Sequence, residues 1–197
     1  MEMSQELRDL LEKNNGTITN KQAGEAGIYR ERLRQLANSG VLERAATGVY
    51  ISPDVMPDKM YVEQLRKPKM IYSHETALFL HDLTDRDPTG YAVTVPRGYH
   101  TTALSREGFT VYTVKRELHA LGAVRMKTVF GNTVTAYGLE RTICDAIRSR
   151  NLMDIAIVTE AVRRYVRRND KNLNLLMQTA EVFRVTKPLR SYLEVLL

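Results

Sequence analysis

The sequence predicts an α+β protein, with a winged helix-turn-helix at its N-terminus followed by an α+β domain that has a small sheet and a helical C-terminal third. Three observations carry the prediction. Residues 19–40 have helix-turn-helix spacing, β-rich runs fall between Tyr91 and Tyr137, and the apolar period turns helical from Gly138 onward.

The run from Thr19 to Gly40 organises the rest. Two short helices that cross steeply need a small residue at their contact and a residue tolerant of positive φ in the turn, and Ala23 and Gly27, four apart, supply them. At roughly 100° per residue, Tyr29, Leu33, Leu36, Ala37 and Gly40 fall on one side of the second helix and are expected to pack inward. Glu31, Arg34, Gln35 and Asn38 then point outward, with Arg30 and Arg32 on the flanks. Arginine and glutamine carry the forked donors and acceptors that match guanine and adenine edges, and a helix is the element that fits the major groove. Thr19, Asn20 and Lys21 at the start of the motif, and Tyr29 ahead of its second helix, complete the candidate DNA-binding set there. A solvated helix of a small bundle has the same spacing.

Upstream, Ser4 is placed to cap a first helix bearing Leu7, Leu10 and Leu11, which Asn14-Asn15-Gly16 stops. Downstream, residues 41–51 read as two short strands around Thr47-Gly48. Helix, helix-turn-helix and hairpin in that order make a winged helix. The wing holds Arg44 and Thr47 where contacts to a phosphate backbone position a protein without reading sequence; an ordinary exposed strand residue is the equal alternative for Arg44. Within residues 1–52 basic side chains do not outnumber acidic ones. Since non-specific affinity comes mainly from neutralised phosphates, such a module binds weakly alone, and self-association on repeated half-sites is expected.

Composition narrows the class. The chain has 197 residues, 43% hydrophobic content and a net charge of +6, enough for a real core and weakly in favour of an anionic partner. A single cysteine, Cys144, excludes an internal disulfide and a Cys-pair zinc site, which suits a reducing cytosol. The start, Met-Glu-Met-Ser-Gln-Glu, is acidic where an export signal is basic and then apolar, and no stretch is apolar for about eighteen residues. A cytoplasmic location without membrane insertion is expected.

Residues 53–58, with two prolines and two aspartates, read as a linker between a DNA-binding domain at 1–52 and a C-terminal domain at 59–197. A short helix is expected from Met60 to Lys69, and Ser73 is placed to cap another carrying Ala77, Leu78 and Leu80 to Leu83. His74, Glu75 and His81 do not make a metal site, because zinc-protease histidines are four apart on one helical face and these are seven apart. Tyr91–Pro96, Phe109–Val114, Val124–Phe130 and Asn132–Tyr137 form the sheet, the last two as a hairpin around Gly131-Asn132. A helix then follows with Leu139, Thr142, Ile143, Ala146 and Ile147 on one side and Cys144 at its edge. Three more helices are expected over 155–166, 172–183 and 188–197.

The densest basic patch is Arg163, Arg164, Arg167, Arg168 and Lys171, whose spacing raises mutual repulsion unless something anionic lies alongside. It is a candidate for additional DNA contact, with an acidic partner and plain solvation as alternatives. Leu193, Val195, Leu196 and Leu197 give an apolar end expected to dock on the domain or on a second copy. Catalytic constellations are thin. No phosphate-cradling Gly-x-x-x-x-Gly-Lys-Ser/Thr loop occurs, the first two sheet runs carry no acid, and Cys144 sits in an apolar helix that favours the thiol. No enzyme, metal or cofactor is expected.

Gly40-Val-Leu-Glu-Arg-Ala-Ala-Thr-Gly48-Val-Tyr-Ile, then Tyr72-Ser-His-Glu-Thr-Ala-Leu-Phe-Leu-His-Asp-Leu83, Val93-Thr-Val-Pro96 and Tyr137-Gly-Leu-Glu-Arg-Thr-Ile-Cys-Asp-Ala146, follow the winged reader in order. This succession resembles the abortive-infection antitoxins of the AbiEi type. The resemblance implies a bacterial type IV toxin–antitoxin system acting in phage defence. In that family the N-terminal domain represses its own operon at upstream inverted repeats, and the C-terminal domain counters a nucleotidyltransferase-like toxin without a stable complex. A ligand-sensing winged-helix regulator with no toxin partner is the rival reading.

Overall fold

The computed structural model describes residues 3–196 and divides into two compact units, Met1–Pro68 with Lys127–Val134, and Lys69–Met126 with Thr135–Leu197.

The first unit runs α1 (Gln5–Lys13), β1 (Thr17–Thr19), α2 (Asn20–Glu25), α3 (Arg30–Asn38), β2 (Glu43–Ala46), β3 (Val49–Ile51) and α4 (Lys59–Arg66). Its three strands pair antiparallel in the order β1-β3-β2, with Thr17 opposite Ile51 and Arg44 opposite Tyr50. This is a winged helix. Leu7, Leu11, Ile18, Leu33, Leu36 and Leu42 close its core at 4% exposure or less, and a leucine truncated to alanine there costs roughly 2–5 kcal/mol. Helix α1 ends as the sequence suggests. Asn15 and Gly16 take left-handed φ values of 50° and 71°, and the Gly16 amide donates back to the Leu11 carbonyl at 2.7 Å. A Cβ at residue 16 would lie 2.5 Å from Val55 Cγ2, so only glycine fits.

The segment 53–58 is tied to this unit. Asp58 is 4% exposed, and its carboxylate accepts from the Tyr61 amide at the start of α4, from Thr128 Oγ1 and from Asn132 Nδ2. Asn132 Oδ1 in turn accepts from Asn15 Nδ2 at 3.0 Å. Residues 59–68 and 127–134 therefore belong with the winged helix as one packed body.

The second unit contains β4 (Ile71–Tyr72), α5 (His74–Leu80), β5 (Ala92–Pro96), α6 (Thr102–Arg106), β6 (Thr110–Val114), α7 (Arg116–His119), β7 (Ala123–Lys127), β8 (Thr133–Tyr137), α8 (Leu139–Arg148), α9 (Ile155–Arg167), α10 (Leu173–Val182) and α11 (Thr186–Leu196), apart from the ends of β7 and β8 that fall in the first. The strands form a five-stranded mixed sheet in the order β6-β5-β4-β8-β7. β5 runs parallel to β6, joined through α6, and β4 lies antiparallel to β5 and parallel to β8. Leu78 of α5, Ile143 and Ile147 of α8, Val158 and Val162 of α9, Leu176 of α10 and Leu189 of α11 make one apolar core. Leu193 of α11 packs against it; Leu197 and the side chains of Val195 and Leu196 lie outside the described residues. No helix among the described residues is long and apolar enough to cross a membrane.

Two expectations about α5 and α8 need correction. Ser73 stands at the N-cap position of α5, but its hydroxyl caps nothing and instead meets His74 Nδ1 and Thr94 Oγ1. Helix α8 is buried on more than the expected stripe, since Arg141 and Asp145 are inside as well. An arginine and an aspartate four apart can neutralise each other there, which a hydrophobic-face reading does not anticipate.

Candidate nucleic-acid interface

Helices α2 and α3 are set by local chemistry. Thr19 caps α2 through a reciprocal box: its Oγ1 accepts from the Gln22 amide at 3.1 Å, and Gln22 Oε1 accepts from the Thr19 amide at 2.9 Å. Ala23 is fully buried, Gly27 takes φ 76°, and the Ile28 amide returns to the Ala23 carbonyl at 2.8 Å, closing the turn.

On α3 the inward side is narrower than the spacing implies. Leu33 and Leu36 are fully buried and Ala37 is half-buried, but Tyr29 is 84% exposed and Gly40 is exposed too. Tyr29 is the N-cap and Gly40 lies beyond the C-cap Ser39, so neither follows the helical period that was extended to them. The outward face carries Arg30, Glu31, Arg34, Gln35 and Asn38, all exposed, with Arg32 half-buried beside Leu33. Arg34 faces Glu31 at 3.9 Å, with the two side chains 69% and 61% exposed. Such an exposed pair is weak and gives way readily to a phosphate or base edge.

The remaining first-unit candidates divide by what already holds them. The hydroxyl of Thr19 is committed to its cap. Asn20 is partly buried against the wing: its backbone amide donates to the Gly48 carbonyl at 2.9 Å, and its side-chain oxygen has no partner among the described residues. Lys21 is exposed, 3.9 Å from Glu25. The wing turn uses Gly48 at φ 75°, leaving Arg44 and Thr47 exposed.

The second-unit candidates sit differently. Arg163 donates to Glu160 at 2.9 Å, Arg164 is held between Glu160 and Asp85, and Arg168 is bidentate to Asp170 at 2.8 Å and also donates to the His81 carbonyl. Lys171 donates to the Arg168 carbonyl. Arg167 is exposed. The anionic neighbours that the spacing demanded are supplied by acids of the unit itself. Asp85 and Asp170 are correspondingly held below the usual carboxylate range by their arginines.

His74, Glu75 and His81 do not converge. His74 lies between Ser73 and Ser149, while His81 Nε2 donates to the Tyr137 carbonyl at 2.8 Å. The feature that sequence reasoning missed in this unit is Arg141. Its Nε donates to Asp145 at 2.8 Å, its Nη1 to the Leu118 and Leu121 carbonyls, and its guanidinium lies 4.1 Å from the Tyr137 ring centroid and 3.8 Å from that of Phe183. A charged pair at i,i+4 inside an otherwise apolar helix was the available signal. Cys144 beside it is buried, which pushes its thiol up to about 12 and keeps it protonated.

Residues 5–53 match the family described as "Transcriptional regulator, AbiEi antitoxin". The resemblance read from the sequence is thus borne out over the winged helix, which is similar to that transcriptional-regulator family. No curated protein matches the chain. Among solved structures, the crystal structure of the RV2827C protein from Mycobacterium tuberculosis is similar, with a TM-score of 0.56 at 14% identity over 96% of this chain and 80% of that one. At that identity the likeness concerns the fold alone.

Proposed function

We propose that the chain is the antitoxin and autorepressor of a bacterial type IV toxin–antitoxin pair. The first unit places α3 in the major groove of its own promoter, where Arg30, Arg34 and Gln35 read base edges. Asn20 and Lys21 at the start of α2, with Tyr29, Arg32, Arg44 and Thr47, fix the module on the backbone, and Thr19 serves by holding α2 in place through its cap. Two copies bind an inverted repeat, since a module whose charges nearly balance gathers too little phosphate contact alone. The second unit opposes a nucleotidyltransferase-like toxin in the cytoplasm without forming a stable complex, and the chain itself works as a regulator rather than an enzyme.

The observation that carries this reading is the face of α3: an exposed row of arginine and glutamine on a helix anchored by Leu33 and Leu36 within a winged helix. The test is binding of the full chain to a fluorescent duplex from its own upstream region, beside Arg30→Ala/Arg34→Ala. Preference for that duplex over a scrambled one, lost in the variant, is expected. No preference in the wild type refutes autorepression. Neutralisation is tested separately, by co-expressing the chain with the adjacent nucleotidyltransferase-like gene and following growth. Growth no better than with the toxin alone contradicts the antitoxin role.

A further inference from the structure

Two motifs of the second unit have no part in reading DNA: the Ser-His at the start of α5 and the Arg-Thr-Ile-x-Asp of α8. The fold brings them to one cavity of about 440 Å³, lined by His74, Thr94 and Tyr112 together with Arg141, Arg148 and Ser149. That is the size of a small-molecule site. Arg141 is 2% exposed, and its Nη2 has no partner among the described residues although every other guanidinium nitrogen is engaged. A buried donor of a charged group left unmatched costs free energy that an anionic acceptor recovers. Arg148 lines the same cavity from the last turn of α8, exposed, with its charge also felt by Asp145.

The neutral groups are aligned toward the same end. Thr94 Oγ1 donates to Ser73 Oγ, which meets His74 Nδ1 at 2.9 Å, and His74 Nε2 meets Ser149 Oγ at 3.0 Å; in the tautomer with the proton on Nε2, Ser149 is the acceptor. Ser149, having accepted, keeps its own hydroxyl hydrogen to donate. The His74 ring is stacked on Tyr112 with centroids 3.3 Å apart, and it is held at a left-handed φ of 49°. Burial first, and then the charges of Arg141 and Arg148, hold its pKa down at about 3, so the relay stays neutral at physiological pH. The lining has one acid, Asp145, already bonded to Arg141 Nε, against two arginines.

We infer that this cavity binds a small molecule through an oxyanion group, phosphate or carboxylate, gripped by Arg141, Arg148 and the Ser149 hydroxyl. The inference is independent of whether α3 reads DNA. It is tested by calorimetric titration of the full chain with inorganic phosphate, AMP and malonate at low and high salt, beside Arg148→Ala and Ser149→Ala. Arg148 is exposed and Ser149 stands at the C-cap of α8, so both variants retain the fold, which their melting temperatures check. The expected result is one-site saturable binding of at least one probe, weakened by salt, by roughly tenfold or more in Arg148→Ala and less in Ser149→Ala. Binding of phosphate and AMP only assigns a phosphoryl ligand; binding of malonate only assigns a carboxylate. Absence of saturation by all three probes, or binding that Arg148→Ala leaves unchanged, overturns the site.

Discussion

Arg30 and Arg34 of the first unit and Arg141, Arg163, Arg164 and Arg168 of the second have opposite surroundings. On α3, Arg30 and Arg34 stand exposed, and the ion pair found there among the described residues is that of Arg34 with Glu31 at 3.9 Å. In the second unit Arg141 is enclosed with Asp145, and Arg163, Arg164 and Arg168 each bond a carboxylate at close range. The same side chain is an open donor in one place and structural in the other. Carboxylates within reach decide which, and linear charge density does not: the denser basic run, 163–171, is the more fully neutralised.

The largest effect expected of any single change is at Arg141. Arg141→Ala removes the contacts with Tyr137 and Phe183 and leaves the Asp145 carboxylate buried alone, at a cost of about 3–5 kcal/mol. Thermal or urea unfolding measures it. Replacing both partners, Arg141→Met with Asp145→Leu, should restore most of the loss; an equal loss in the double variant would contradict the pairing account.

Next in size is a DNA effect with no stability effect. Arg30→Ala/Arg34→Ala is expected to lower affinity for the specific duplex by roughly thirtyfold or more, since each good bidentate base contact discriminates by ~1–3 kcal/mol. The melting temperature should stay with the wild type, as both side chains are exposed.

His74 gives the pH dependence. Its folded pKa lies near 3 against an ordinary 6.5, so below 6.5 the unfolded chain takes up a proton that the folded chain refuses. The stability it contributes is whole above pH 6.5 and falls as pH drops toward 3, by about 1.4 kcal/mol per pH unit at full slope. Denaturant midpoints from pH 7 to 4 should therefore decline less steeply in His74→Gln than in the wild type. Parallel curves would show that the imidazole is not held neutral.

Thr19→Ala is the smallest. Losing the capping box should cost ~1 kcal/mol, read as a modest drop in the unfolding midpoint.

Much of this was legible in the sequence because it is local. Ala23, Gly27 and the Leu33/Leu36 pair mark the helix-turn-helix through spacing and φ alone, and the β-branched runs at 92–96, 110–114 and 133–137 mark their strands. β1 and β4, at three and two residues, escaped because strands that short exist only through their partners, β3 for one and β5 and β8 for the other. The exposure of Tyr29 escaped because a helical period says nothing about a residue before the first turn. The cavity of the second unit escaped for a different reason: His74 and Arg141 are 67 positions apart in the chain, and only the packing of α5 on α8 puts them together.

The measurement that tests the account most directly is a salt titration of affinity for the upstream duplex, run on the wild type, on Arg30→Ala/Arg34→Ala and on Arg163→Glu/Arg164→Glu. If α3 is the reader and the arginines of α9 are occupied by their own acids, the first variant loses the preference for the specific duplex and the second keeps both affinity and salt slope. Specific binding that survives loss of the α3 arginines and collapses with the α9 pair would contradict it.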